Sequence, residues 1–233
     1  MDPNDIVFFD RKGNELYRVK SNTEFKTYIV RNNGSLTEAP MPNIIQKRGK
    51  LVTTGFIYQK YDYQIAASTE NFNLDKSEGK LELWTDGNNQ IPSSAISKIP
   101  SLNPTMVKAV AMQESKEGTD PGHNGRSDIM QVNNGASNFE DFAPYKEHYG
   151  LSKGTIPDPR ISINAGIKNL ATKGFRGGII YNQETGESTF KFQGWDNAII
   201  NYNGGGAAKH GQNYFQSVEN MIDNAIKPQP NNY

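Results

Sequence analysis

The sequence predicts an α+β fold, with a smaller β-rich domain over residues 1–92, a helical domain over 93–227 and a flexible tail over 228–233. Three observations carry this expectation. Up to residue 92, β-branched and aromatic residues fall in short runs separated by Gly, Asn and Asp turns. From residue 93, apolar residues recur at three- and four-residue spacing. No internal repeat links the two parts.

In chain order, "DIVFFDRKGNELYRVKS" is two strand-like runs around Lys12-Gly13-Asn14, a hairpin pattern. "FKTYIV", "KLVTTGFIYQKYDYQIAAS" and "KLELWTDGNNQ" continue the β-type composition, with turns at Asn32-Asn33-Gly34 and Asp86-Gly87. The first helix opens at Asn103-Pro104, a capping side chain followed by proline at the first helical position. It runs toward Gly118. A second helix fits residues 161–173, with Ile163, Ile167, Leu170 and Ala171 inward and Lys173-Gly174 as its stop. "GGIIYNQETGESTFKFQG" has the pattern of a hairpin across Glu184-Thr185-Gly186. A third helix carries Trp195, Ala198, Ile199 and Tyr202 on one stripe and ends at the glycines of "NYNGGG". The last holds Tyr214, Phe215, Val218, Ile222 and Ala225 and stops before Pro228.

The 233 residues suffice for one large domain or two small ones. Hydrophobic residues are 35% and aromatic residues 10%, and the mean hydropathy is −0.72; the chain is polar yet above the disordered range. Lys+Arg and Asp+Glu are 25 each. A balanced charge argues against nucleic acid as the main partner, because phosphate binding draws on a basic excess. With no cysteine, thiol catalysis and cysteine metal sites are excluded. No window approaches the ~18 apolar residues of a membrane helix, so no membrane insertion is expected. The start has no basic region followed by an apolar run, so the expected routes outward are leaderless secretion or a leader already removed.

One side chain breaks the pattern. Val107, Val110, Ala111 and Glu114 fall at i, i+3, i+4 and i+7, placing a carboxylate on the apolar face of the first helix. A carboxylate there is costly to ionise, and its pKa should rise. On pattern alone Glu114 is either a solvated helix-end residue or a catalytic acid.

The segments "MQESKEG…DIMQVN", "DPRISINAGIKNLATKG", "WDNAIINYNGGG" and "YFQSVENMI" occur in the order of the lysozyme-like transglycosylase superfamily, which includes goose-type lysozymes. The resemblance covers residues 100 to 226 and implies a helical lysozyme-like C-terminal domain. It implies a peptidoglycan glycosidase that cleaves the β-1,4 bond between N-acetylmuramic acid and N-acetylglucosamine, with Glu114 as general acid. Protonating a leaving sugar oxygen near neutral pH calls for such a raised carboxyl. Motif by motif, Ser115 matches the serine beside the acid, and Met130 and Gln131 match the Met-Gln pair lining the groove. Tyr202 matches the tyrosine whose hydroxyl reaches the acid, and Asn203 the asparagine expected to contact sugar.

Two departures bear on mechanism. Asp128 stands where the family usually has a glycine, and Asn133 where goose-type enzymes often carry an aspartate. A hydrolase needs a second carboxylate, about 5–5.5 Å from the acid as nucleophile or ~6.5–9.5 Å to activate water. Asp128 and Asp120 are the candidates, though Asp120-Pro121-Gly122 is also a turn signature. A lytic transglycosylase needs none: one glutamate acts as acid and then as base while the muramyl 6-hydroxyl closes an anhydro ring. Both routes stay open.

No metal site and no cofactor are expected, since His123, His148 and His210 are scattered and "NYNGGGAAKHG" lacks phosphate-loop spacing. Aromatics between residues 56 and 63 and Trp84 are candidates to stack on sugars, and a β core accounts for them equally well. The expected partners are peptidoglycan glycan strands, with action in the cell-wall or periplasmic space. An antibacterial effector of this kind would also require an immunity protein. The alternative is a catalytically inactive lysozyme-fold glycan-binding or adaptor protein.

Overall fold

In a computed structural model, residues 5–21, 23–47, 50–51, 59–120, 125–133, 142–184, 186–203 and 208–228 are described. The chain is mixed α+β, with a small N-terminal sheet followed by a helical region.

Strands β1 (Asp5–Phe9), β2 (Glu15–Lys20), β3 (Lys26–Val30) and β4 (Leu36–Ala39) form one sheet in the order β2-β1-β3-β4, with β1 and β3 parallel and the outer pairs antiparallel. The expected first hairpin is present. Alternation decides which face is buried: Val7, Phe9, Ile29 and Ala39 point inward, while Phe8 stacks between Tyr17 and Tyr28 on the other face. Two very short strands, β5 (Gln46–Lys47) and β6 (Lys50–Leu51), follow. Residues 52–58 of the expected third strand run lie outside the described residues.

The β expectation fails from residue 62 on. Asp62–Ser77 is a 16-residue helix, α1. Its buried residues include Tyr63, Ile65, Ala66, Ala67, Ser68, Thr69, Asn71, Phe72 and Leu74. Tyr63, Ala66, Ala67 and Leu74 pack under the sheet, whereas Ile65 and Phe72 join the core of the helical region. A helix buried on opposite sides has no single apolar stripe, so the 3.6-residue period that reveals surface helices is missing. "KLELWTDGNNQ" is also not a strand; a lone bridge between Trp84 and Gln90 closes a turn there.

The remaining helices match their signals more closely. After the short α2 (Ser93–Ile96), α3 (Pro104–Ser115) is capped by the Asn103 side chain, which accepts from the Thr105 N–H at 2.8 Å. Helix α4 (Pro159–Lys173) begins two residues before the expected start, because the Asp158 side chain caps it from Ile161 N–H. A 3-10 helix spans Pro144–Tyr149. The expected second hairpin forms from β7 (Ile179–Tyr181) and β8 (Ser188–Phe190). Helices α5 (Trp195–Tyr202) and α6 (Ala208–Asp223) complete the chain, and an Ile44–Ile226 bridge ties its end back to the segment after the sheet.

Helix α3 runs through the main core with Val107, Ala109, Val110 and Ala111 fully buried. Burying a valine side chain contributes about 1.5–3 kcal/mol, so the position of α3 is strongly fixed. It packs on α1 and α6. Its last turn therefore carries Glu114 toward α6.

Candidate active site

Glu114 lies on the last turn of α3 and is half-buried. The Tyr214 hydroxyl, from α6, donates to Glu114 Oε1 at 2.6 Å. Burial pushes the Glu114 carboxyl up to about 7; the Tyr214 hydrogen bond opposes this, and the charge of Asp128 adds to it. One turn away, Ser217 Oγ donates to Gln113 Oε1 at 2.6 Å and fixes α6 against the end of α3.

Behind the acid the backbone turns left-handed. Lys116, Glu117 and Gly118 have φ of 49°, 51° and 81°, an arrangement that costs non-glycine residues about 1–3 kcal/mol each. Gly118 has a steric reason as well, because a Cβ there would stand 2.7 Å from the Tyr61 ring and 2.8 Å from Ile129. Ser115 stitches this turn together. Its hydroxyl donates to the Ile129 carbonyl at 2.8 Å and accepts from Gly118 N–H at 2.9 Å. Ser115 is buried to 1% exposure, so it holds the loop and is closed to a sugar, contrary to the substrate contact expected of it.

Asp128 is the centre of the 125–133 loop. Its Oδ1 accepts from Ser162 Oγ at 2.6 Å and Val132 N–H at 3.0 Å, and its Oδ2 accepts from Asn133 N–H at 2.7 Å. Burial raises its pKa, against those three hydrogen bonds and the charge of Lys146. At 0% exposure the carboxylate is a loop-builder rather than a group facing solvent. Asn133, also buried, donates to the carbonyls of Ser152 and Thr155. Asp120 is ion-paired with Lys116 at 2.6 Å.

Met130 is fully buried and sits on α4. A Cβ on Gly166 would come within 2.4 Å of Met130 Cβ, so only glycine permits this approach. Met130 N–H donates to Ser162 Oγ at 2.9 Å. Its carbonyl accepts from the Tyr202 hydroxyl at 2.8 Å, which corrects the expected Tyr202–Glu114 contact: that phenol secures the loop, and Tyr214 serves the acid. Met130 therefore does not line a groove. Gln131, at φ 50°, is half-buried and donates its amide to the Asp128 carbonyl at 2.7 Å. Asn203 is exposed at the end of α5.

Sequence reasoning placed Tyr214 only as an inward residue, because its spacing on the last helix is that of any core aromatic. It also missed a buried charged group that joins α3 to α1. Lys108 Nζ and Asp62 Oδ2 pair at 2.7 Å, both essentially buried, and buried Glu117 accepts from Tyr61 N–H at 3.3 Å. Asp62 Oδ1 and Glu117 Oε2 have no other donor. Burial raises the pKa of each carboxyl, and Lys108 opposes it. The two carboxyls adjoin, so ionisation of one opposes ionisation of the other. The only signal was a lysine inside the apolar run of α3, with a second glutamate just past its end.

His148 stacks on Trp84 with ring centroids 3.7 Å apart, and His210 is exposed. His123, Phe56, Tyr58, Glu140-Asp141 and the glycines of "NYNGGG" lie outside the described residues. Among the described residues no group of three or more His, Cys, Asp or Glu could hold a metal ion, and no helix is long and apolar enough to cross a membrane. Three cavities of about 200 to 340 Å³ are lined by residues other than Glu114.

Comparison with known proteins returns no match: no family model, no curated protein and no solved structure is similar to the chain.

Proposed function

We propose that the chain is a peptidoglycan glycosidase in which Glu114 is the proton donor to the β-1,4 bond between N-acetylmuramic acid and N-acetylglucosamine. The observation that carries this reading is the Glu114–Tyr214 pair. A half-buried glutamate whose carboxyl is pushed up to about 7 is protonated in a useful fraction near neutrality, as a general acid requires. The resemblance of the surrounding segments to lysozyme-like transglycosylases supplies the substrate class.

Of the two routes, the one-carboxylate route is favoured. Asp128 has both oxygens occupied and no exposure, and Asp120 is ion-paired with Lys116. Neither is left to activate water. Glu114 then donates its proton to the glycosidic oxygen as the C1–O bond breaks. The resulting carboxylate takes the proton of the muramyl 6-hydroxyl as that oxygen closes on C1. The proton count balances and no water is consumed, which defines a lytic transglycosylase.

A second reading, a non-catalytic glycan-binding or adaptor protein, is favoured by one observation: Ser115, Met130 and Asp128 are buried and make loop contacts rather than a sugar-binding surface. Clearing of purified cell walls separates the two. The enzyme reading expects wild-type protein to lower turbidity and Glu114→Gln to lose at least a hundredfold in rate; equal clearing by both, or none by either, rejects it. Delivery as an antibacterial effector, with an immunity protein as partner, belongs to the same proposal. It expects export to the periplasm to kill while cytoplasmic expression is tolerated.

A further inference from the structure

The buried stripe of α6 opens with a glycine. Gly211, Tyr214 and Val218 stand at i, i+3 and i+7 and are buried, while Gln212, Asn213 and Gln216 are exposed. Glycine inside a helix costs about 0.5–1 kcal/mol relative to alanine, so its place there has a reason in packing. The reason is α5. A Cβ on Gly211 would stand 2.6 Å from the Ile200 carbonyl oxygen and 3.0 Å from Ile200 Cγ2. The backbones of α5 and α6 therefore meet here with no side chain of α6 between them.

One turn further on, the same face brings the Tyr214 hydroxyl to Glu114 Oε1 at 2.6 Å. A hydrogen bond between oxygens spans about 2.5–3.0 Å, so this one is near its short limit, and any displacement of the turn lengthens or tilts it. A carbon–oxygen contact normally opens to about 3.3 Å or more, so a methyl at position 211 forces the two helices apart by on the order of 0.5 Å. The other ionisable side chains acting on Glu114 are Asp128 from the 125–133 loop and Tyr202 from α5. Both spend their hydrogen bonds elsewhere, Asp128 on Ser162 and its own loop and Tyr202 on the Met130 carbonyl.

We propose that Gly211 is a positioning residue for the acid: by letting α6 close onto the α5 backbone, it sets how near the Tyr214 hydroxyl stands to Glu114. The inference rests on the reading of Glu114 as proton donor for its functional meaning, which is the pH range over which the acid keeps its proton. Gly211 has no side chain to offer the site and acts through Tyr214. Alanine there should loosen the Tyr214 bond while α6 itself stays helical, alanine being the better helix former.

The test is carbon-13 NMR titration of the Glu114 carboxyl in the full chain labelled at glutamate, with Glu114→Gln identifying its signal. In Gly211→Ala the midpoint should rise above that of wild type by about half a pH unit or more, toward the value of Tyr214→Phe. In Gly211→Ala/Tyr214→Phe it should match Tyr214→Phe alone within about 0.2 pH unit, because the bond that the glycine protects is already gone. The alkaline limb of kcat/KM should move with the carboxyl midpoint. Should Gly211→Ala fail to fold, Gly211→Ala/Ile200→Ala clears the 3.0 Å contact and is read in the same way against Ile200→Ala. An unchanged midpoint in a folded Gly211 variant, or an equal rise with and without the Tyr214 hydroxyl, would overturn the proposal. The carboxyl titration reads the acid whether or not glycan is cut, so absence of cleavage by wild-type protein would remove the glycosidase reading alone.

Discussion

Tyr214 and Glu114, 100 residues apart in sequence, are joined by a 2.6 Å hydrogen bond in which the phenol donates to the carboxylate. That bond favours the ionised acid, whereas burial favours the neutral one, and burial wins. The acid is tuned between the two.

Removing the phenol hydroxyl should therefore raise the Glu114 pKa further. A hydrogen bond to a charged group is worth about 1.5–3 kcal/mol, which is on the order of one pH unit. In wild type, kcat/KM for glycan cleavage should fall about tenfold per pH unit above pH ~7. In Tyr214→Phe this alkaline limb should move up by about one unit. A pH–rate profile checks it. A purely structural tyrosine would lower activity at every pH and leave the limb in place.

The same tuning links the site to stability. Glu114 binds its proton more tightly folded than unfolded, so its contribution is full below the ordinary value of 4.5 and is lost as pH rises through about 7. Glu114→Gln removes the ionisation and keeps an acceptor for Tyr214. Urea denaturation should show the variant about 1–3 kcal/mol more stable than wild type at pH 8 and within about 0.5 kcal/mol of it at pH 4. The reverse order would mean that the carboxylate is stabilised, not destabilised, by its surroundings.

Gly166 governs the loop that carries Met130 and Gln131. With 2.4 Å between a new Cβ and Met130, Gly166→Ala cannot be accommodated without moving either the loop or α4. A loss of roughly 2–3 kcal/mol is expected, in the range of overpacked cores, and thermal unfolding measures it. Gly150→Ala is the control: a Cβ there meets nothing within 4 Å, so its effect reports only the strain of its φ of 79°.

The buried Asp62–Lys108–Glu117 group makes opposite demands on two substitutions. Glu117→Gln keeps the side-chain shape, removes one buried carboxyl and adds an N–H donor for Asp62, so its stability at pH 7 should stay within about 1 kcal/mol of wild type. Lys108→Met leaves a buried carboxylate uncompensated and should lose about 3–5 kcal/mol. Equal losses from the two changes, in the same denaturation experiment, would mean that the group needs the Glu117 carboxylate as much as the Lys108 charge.

Legibility in the sequence followed the kind of signal each residue carries. Capping side chains and proline at the first turn made α3 and α4 readable, and a single apolar stripe made α5 so; Glu114 stood out because it continues the apolar stripe of α3 as a carboxylate. Helix α1 was hidden because it is covered on opposite sides, so its Ala, Ser, Thr and Asn positions show no period. Tyr202 and Tyr214 could not be told apart by spacing, since each is a buried aromatic on a helical stripe; only the packing of α6 on α3 decides which hydroxyl meets the acid. Asp128 looked like a spare carboxylate because the backbone N–H groups that occupy it come from its own loop, whose path local sequence does not determine.

Mass spectrometry of the soluble products released from purified peptidoglycan tests proton donation by Glu114 most directly. Wild-type protein is expected to release muropeptides ending in 1,6-anhydro-N-acetylmuramic acid, and Glu114→Gln to release none above background. Reducing muramic ends would replace the one-carboxylate route with hydrolysis. Products from Glu114→Gln at the wild-type rate would contradict the role given to this residue altogether.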